Sequence, residues 1–414
     1  VLGMPGALSD IRVIEMGTLL AGPFCGQQLA DHGAEVIKIE PPGKGDPMRD
    51  WGQEIAAGRS LWWPVVARGK KSVTLNLREE AGQELVRQLV KEADVLIENF
   101  RPGTLERWGL SPETLHAINP RLIITRVSGW GQFGPNSGQP GFGAIGEAVG
   151  GIRYTTGDPD RVPSRTSISI GDTLTALFAT IGTLSALHSR ERTGRGQVID
   201  AALYESVLAV MESLLTEYHV AGFIRERTGS LIPNIAPANI YPTAGGGMHL
   251  ISGNQDTVWR RLAEAMGRPE LATDVRYATH LARGENQAEL DGLIAEWTID
   301  YTSHELHALL EEHGVPNSQM YRAPEMLADE HFAARESIKW IDSHDFGKIP
   351  MQNVVPKLSD TPGEVRWSGP TLGQHNLEVL RDILHLEDDE IEQLVAEGIV
   401  EGPVEGVAEG AEHP

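Results

Sequence analysis

The sequence predicts an α/β fold built on a mostly parallel sheet, with a smaller unit set into the chain. Two observations carry the first part: short apolar strands alternate with helical patterns through the N-terminal third, and their βαβ rhythm puts helices on the faces of a parallel sheet. The second part rests on a shift in composition near residue 225.

Taken in order, Ile11–Met16 reads as a strand, Gly22–Ala30 as a helix closing near Gly33, and Glu35–Glu40 as a strand ended by Pro41-Pro42. Ser72–Leu77, the helix Ala81–Glu92, and the strands Asp94–Glu98 and Arg121–Val127 continue the pattern. Gly129–Gly157 is glycine-rich and is expected as loop. Asp172 then opens a periodic helix with Leu174, Leu177, Phe178, Ile181, Leu184 and Leu187 on one face. Between Gly245 and Val315 three helical patterns, Thr257–Met266, Asn286–Thr298 and Ser303–His313, mark the smaller unit. Leu377–Leu386 and Glu390–Glu397 read as closing helices. The expected division is 1–222 for a large domain, 223–330 for a small one, and 331–414 for a linker and a segment that completes the large domain.

The formal charge of −23 argues against a nucleic-acid partner, which needs a basic surface. Ten acidic residues and no Lys or Arg follow from Glu387 onward, and the last dozen or so residues read as a solvated acidic tail. The apolar run Leu174–Leu187 is interrupted by Thr175, Thr180, Gly182 and Ser185, so no membrane span is expected, and Val1–Asp10 lacks the pattern of a secretory signal. A single cysteine, Cys25, excludes an internal disulfide and fits a cytoplasmic setting.

Several short motifs lack the context their chemistry requires. Gly141, Gly143 and Gly146 spell GxGxxG, but no strand precedes them to aim a helix N-terminus at a pyrophosphate. Gly69-Lys-Lys-Ser72 has no upstream glycine of a P-loop, and Ser128 is not in a GxSxG elbow. His304-Glu-Leu-His307 is one residue short of the spacing that puts two imidazoles on one helical face, so no metal site is expected. Asp172, just ahead of an apolar run, reads from the bare sequence as a helix N-cap.

Five blocks, in order, resemble the family III CoA-transferases from about Leu8 to Val400. They are Leu19–Cys25 with Leu29–Glu40; Arg68–Arg78; Asp94–Gly103 with Arg107 and Gly109; Gly171-Asp172 with Arg192–Gln197; and Lys357–Gly363 with Leu372–Asn376. The resemblance implies a Rossmann-like large domain made from both chain ends, a small inserted α+β domain, and an interlocked dimer. It implies that Asp172 is a nucleophile, so that the helix-cap position and the catalytic role share one geometry. It also implies that Leu19, Leu20, Ala21, Leu75, Asn76, Leu77, Arg78, Asn99, Phe100 and Arg107 line a cleft for coenzyme A. There Phe100 could stack on adenine and the two arginines could meet phosphates. Gly245, Gly246 and Gly247 fall where relatives carry a glycine loop over the active site; a plain turn between strands is the alternative.

The activity so implied moves CoA from an acyl-CoA, succinyl-CoA in the nearest-looking relatives, to a carboxylic acid, a dicarboxylate among them, through an aspartyl intermediate. Coenzyme A is then a substrate, and no permanently bound cofactor is expected. Arg153, Arg161 and Arg165 are candidates for the acceptor's free carboxylate. A racemase of the same fold is disfavoured because Phe142 stands where its histidine base would be. Gly143 replaces the acidic residue of the formyl-CoA branch. A homodimer is expected, with a CoA-binding subunit of a heteromer as the alternative.

Overall fold

The computed structural model describes residues 6–402 apart from 53, 54 and 57; nearly all of the expected acidic tail lies outside the described residues. The chain forms two compact units, one from the described parts of 1–152, 167–212 and 333–414, the other from 153–166 and 213–332.

The first unit holds β1 (Arg12–Glu15), β2 (Glu35–Glu40), the short hairpin β3 (Ile55–Ala56) and β4 (Arg59–Ser60), β5 (Lys70–Thr74), β6 (Val95–Glu98), β7 (Ile123–Ser128) and β8 (Val198–Ala202). Six of these make a parallel sheet in the order β5-β2-β1-β6-β7-β8. Successive residues serve opposite faces. Val13, Val36, Val95 and Ile123 pack with Cys25 and Leu29 of α1 (Ala21–Asp31). Ile14, Ile37, Val73 and Leu96 pack with Leu85, Val86 and Leu89 of α2 (Glu80–Lys91) and with Val379, Leu380 and Ile391. With both faces covered, the central strands carry apolar residues at successive positions and do not alternate apolar with polar.

From β1 the chain builds outward to β2 and β5, then crosses to β6 on the other side of β1 and builds outward again. Strand order therefore reverses between β1 and β6, and in such sheets the crevice beyond the carboxyl ends at this reversal is where ligands bind. The outer edge of β5 is covered by the far end of the chain. The Ser72 amide donates to His375 Nδ1 at 3.0 Å, the Thr74 amide to Asn376 Oδ1 at 2.8 Å, and the Asn76 amide to the Ile399 carbonyl at 2.8 Å. The Leu372–Asn376 block thus blunts a sheet edge that would otherwise be open.

Three local expectations are corrected. The glycine-rich stretch expected as loop contains α3 (Gly143–Val149). Strand β5 is Lys70–Thr74, starting two residues earlier than read and ending where the chain turns away at Leu75. Leu377–Leu386 is a short helical turn at Asn376–Glu378 continuing into a π-turn at Val379–Ile383. Periodicity leaves open which face of α4 (Ile170–Thr193) turns inward. Its inward face is made of small residues, Thr175, Ala176, Ala179, Thr183 and Ala186, packed toward α1 and the sheet. The large apolar stripe points the other way: Leu177, Phe178, Ile181 and Leu184 are 39, 38, 58 and 41 % exposed in the single chain. By length and composition alone α4 is also long and apolar enough to cross a membrane, because its Thr, Gly and Ser interruptions are only weakly polar.

The second unit has a three-stranded antiparallel sheet, β9 (Ala238–Thr243), β10 (Gly247–Ser252) and β11 (Asn317–Gln319), in the order β11-β10-β9. Helices Asp256–Ala265, Gln287–Thr298 and Ser303–Glu312 close its core of Tyr241, Ile251, Trp259, Leu262, Ile294 and Leu306. Fully buried Arg283 donates to the carbonyls of Ala236, Tyr277 and Asn254 and pairs with Asp256 at 2.7 Å.

Candidate active site

In a parallel sheet each crossover helix carries the chain back from the carboxyl edge to the amino edge. Because α4 leads into β8, it starts at the carboxyl edge, and Asp172 lies there. The helix begins at Ile170 with Ser169 as N-cap, so Asp172 is in the first turn rather than at the cap itself. A carboxylate in that turn is still favoured in its ionised form by the helix dipole, by about 0.3–1 kcal/mol. Ser169 makes no side-chain cap bond; the Gly171 amide donates instead to Oε1 of buried Glu147, on α3, at 3.3 Å. The Thr175 hydroxyl donates to the Gly171 carbonyl at 2.7 Å, tightening the same turn.

Half-buried Asp172 rests directly on α3. A Cβ added at Gly143 would sit 2.1 Å from Asp172 Oδ2 and 2.7 Å from its Cγ. The next glycine of that helix, Gly146, is pressed on Leu203, where an added Cβ would be 2.7 Å from the neighbouring Cβ. The GxGxxG spacing thus serves close packing of a helix against α4 and α5 (Leu203–Leu208), and the strand before it, β7, ends at Ser128 and does not run directly into Gly141.

The expected cleft residues fall on three loops at the carboxyl edge of the same sheet. Leu19 and Leu20 follow β1, and Ala21 starts α1. Asn99 follows β6, and its amide holds Thr18 at both ends, accepting from the Thr18 amide and donating to the Thr18 carbonyl at 2.8 Å each. The two loops flanking the strand-order reversal are thereby joined. Leu75 is a buried core residue, Asn76 accepts from the Arg78 amide at 3.2 Å, Leu77 packs partly on the core, and the Arg78 side chain is exposed. Phe100 is half-buried and meets Trp108 edge-on, with ring centroids 5.1 Å apart. Exposed Arg107 donates to the Thr104 hydroxyl at 2.9 Å. Gly245, Gly246 and Gly247 belong to the second unit, where they turn the chain from β9 into β10; Gly245 and Gly246 have φ of 76° and 79°, which glycine adopts without strain. Arg153, Arg161 and Arg165 also lie in the second unit.

Charged residues that the sequence did not single out support these loops. Lys38 on β2 pairs with Glu15 at 2.9 Å and with Asp46 at 2.8 Å, all three at most 2 % exposed. Beneath Phe100, Glu98 accepts from the Phe100 amide at 2.7 Å and pairs with Arg126 at 2.7 Å, while Arg126 also meets Glu106. Burial pushes the Glu98 carboxyl up to about 7, against the opposing pull of Arg126. A carboxyl raised in the folded state binds its proton more tightly there than in the unfolded chain, where it titrates near 4.3. The stability it contributes is therefore complete below about pH 4 and declines as pH rises through about 7, by at most about 1.4 kcal/mol per pH unit. Glu98→Gln is expected to flatten this decline in urea-denaturation free energies taken between about pH 5 and 7; an unchanged slope would assign the titration elsewhere.

The fold is thus a doubly wound α/β sheet, with Asp172 in the first turn of the crossover helix that starts at its carboxyl edge. The profile of CoA-transferase family III matches residues 8–376, and the chain belongs to that family and is a CoA-transferase. It is 60 % identical over 396 residues, 96 % of this chain and 98 % of the other, to the succinyl-CoA–D-citramalate CoA-transferase of Chloroflexus aurantiacus. The beta subunit of the succinyl-CoA–L-malate CoA-transferase of the same organism is 42 % identical, over 95 % of this chain and 98 % of that subunit. Among solved structures, a CAIB/BAIF family protein from Brucella suis superposes with a TM-score of 0.83 at 37 % identity, covering 92 % of this chain and all of that one.

Proposed function

We propose that the chain transfers CoA from succinyl-CoA to a substituted dicarboxylic acid of the citramalate type, with Asp172 as the covalent carrier. The observation that carries the mechanism is the Asp172 carboxylate set in the first turn of α4 against Gly143. The substrate class is supported by the 60 % identity, over nearly the whole of both chains, to a D-citramalate enzyme.

Asp172 attacks the thioester carbonyl, the C–S bond breaks, and an acyl–aspartyl anhydride forms as CoA thiolate leaves. The thiolate then attacks the aspartyl carbonyl, releasing succinate and leaving an aspartyl–CoA thioester. The acceptor carboxylate displaces the thiolate from that thioester, and the thiolate attacks the acceptor's carbonyl of the new anhydride, restoring the Asp172 carboxylate. Covalent catalysis divides one difficult transfer into easier ones and conserves the thioester bond throughout. Intact-mass measurement after mixing with succinyl-CoA, with hydroxylamine trapping, tests the reading. A hydroxamate or CoA adduct mapping to Asp172 is expected; no adduct from succinyl-CoA or other acyl-CoAs would reject it. In an acid panel, dicarboxylates are expected to outpace monocarboxylates, and the reverse order would reject the acceptor class.

The working form in this reading is a homodimer. Leu177, Phe178, Ile181 and Leu184 form an exposed apolar stripe along one helix, the kind of surface a monomer rarely leaves open. Ile181→Glu is expected to shift the light-scattering mass from dimer toward monomer, and a fully monomeric wild type would exclude the dimer.

A further inference from the structure

The turn Gly17–Leu20 follows β1 where strand order reverses, and three side chains hold its backbone group by group. Lys38 donates to the Gly17 carbonyl at 2.9 Å. Asn99 accepts from the Thr18 amide and donates to the Thr18 carbonyl, both at 2.8 Å. Both oxygens of Asp46 accept from the Leu19 amide, at 3.0 and 3.2 Å. Under this hold Leu19 keeps a φ of 62°, a left-handed conformation that a bulky L-residue retains only when its surroundings over-determine it.

The hold is itself anchored. Lys38 and Asp46 are paired at 2.8 Å, Lys38 reaches Glu15 at 2.9 Å, and Glu15 meets Lys70 at 2.7 Å, every one of these side chains being buried. The Asp46 amide donates to Glu40 at 2.9 Å, fixing the far side of the loop that carries it. Buried charge clusters are a poor source of stability, since apolar replacements are often neutral or stabilising. What this cluster supplies is one conformation of one turn, and that turn runs straight into α1, whose N-cap residue Leu20 makes no side-chain cap bond.

We infer that Lys38, Asp46 and Asn99 are positioning residues that lock the Gly17–Leu20 turn in its left-handed form and so present Leu19–Ala21 to the CoA thioester. The inference rests on the cleft assignment of Leu19–Ala21. All three act through the backbone of the turn; Lys38 and Asp46 are buried, while Asn99, itself an expected cleft residue, commits both atoms of its amide to Thr18. They belong to β2, the loop after it and the loop after β6, so the lock spans the crevice from both sides of β1.

The test uses the full chain with Asp46→Asn and Asn99→Ala, each also combined with Leu19→Gly. Hydrogen exchange of the Thr18 and Leu19 amides is expected to speed by about tenfold or more in both single variants. The KM for succinyl-CoA is expected to rise by about tenfold while kcat and the acceptor KM stay within about threefold, the split left by a lost binding surface. Leu19→Gly, which reaches positive φ without being held, is expected to recover part of the succinyl-CoA KM. Unchanged exchange in both variants would overturn the lock. Faster exchange with unchanged succinyl-CoA KM would overturn its role in presenting the loop. If the wild type fails to use succinyl-CoA, the function reading falls. Calorimetric titration with free CoA then decides the inference, which is rejected if the variants bind CoA as the wild type does. Asn99→Ala leaves the buried ion pairs whole, so it answers even where Asp46→Asn does not fold.

Discussion

Asp172→Asn is expected to lower CoA transfer by at least about 10³-fold, the scale of losing a covalent nucleophile, with thermal stability near wild type. The replacement keeps size and shape beside Gly143 and removes only the charge and the nucleophilic oxygen. The dipole at the start of α4 favours that charge, so its loss is worth about 1 kcal/mol or less in stability. The fold should therefore persist while chemistry stops. Two measurements check this: steady-state transfer from succinyl-CoA, and binding of CoA by calorimetry, expected within a few-fold of wild type. Transfer within tenfold of wild type would remove Asp172 from the mechanism.

Gly143→Ala is expected to reduce kcat by about 100-fold, the effect of displacing a reacting group by roughly 1 Å. The added methyl would lie 2.1 Å from the Asp172 oxygen, far inside contact distance. Helix α3 cannot yield, because Gly146 is pressed on Leu203 and Gly150 on Val207 along the same face. The side chain of Asp172 must then leave for another rotamer. The succinyl-CoA KM should change little, since the loops after β1, β5 and β6 are untouched. Stopped-flow formation of the acyl adduct separates this from a fault in binding, and wild-type adduct formation would show that the carboxylate does not need its present seat.

The parallel sheet was readable because β1, β2, β6 and β7 are covered on both faces and so carry adjacent apolar residues, Val13-Ile14, Val36-Ile37, Val95-Leu96 and Ile123-Ile124, one for each face. The buried side of α4 was not readable. Periodicity reports an apolar stripe, and this helix has one of large residues and another of Ala and Thr; only the tight approach to α1 decides which goes inward. Helix α3 escaped because its glycines disfavour helix by propensity, and their purpose is close contact with Asp172 and Leu203, residues distant in sequence. Asp172 stood out only through family resemblance, being one of 58 acids with an ordinary cap-like setting. The Lys38–Glu15 pair did leave a trace. These residues face each other in the β1–β2 register, an opposite-charge match on two buried strands, but seeing it requires the pairing to be known first.

The cover on β5 also has a consequence in time. Its partners are His375, Asn376 and the stretch around Ile399, some three hundred residues further along the chain. At translation rates of roughly 5–20 residues per second, a ribosome takes about 15–60 s to travel that distance. Throughout that interval the nascent sheet presents a raw border able to pair with any strand nearby. The protein is thus born with a period of vulnerability fixed by its topology, and its yield in a host cell should depend on chaperone supply far more than its finished stability would suggest.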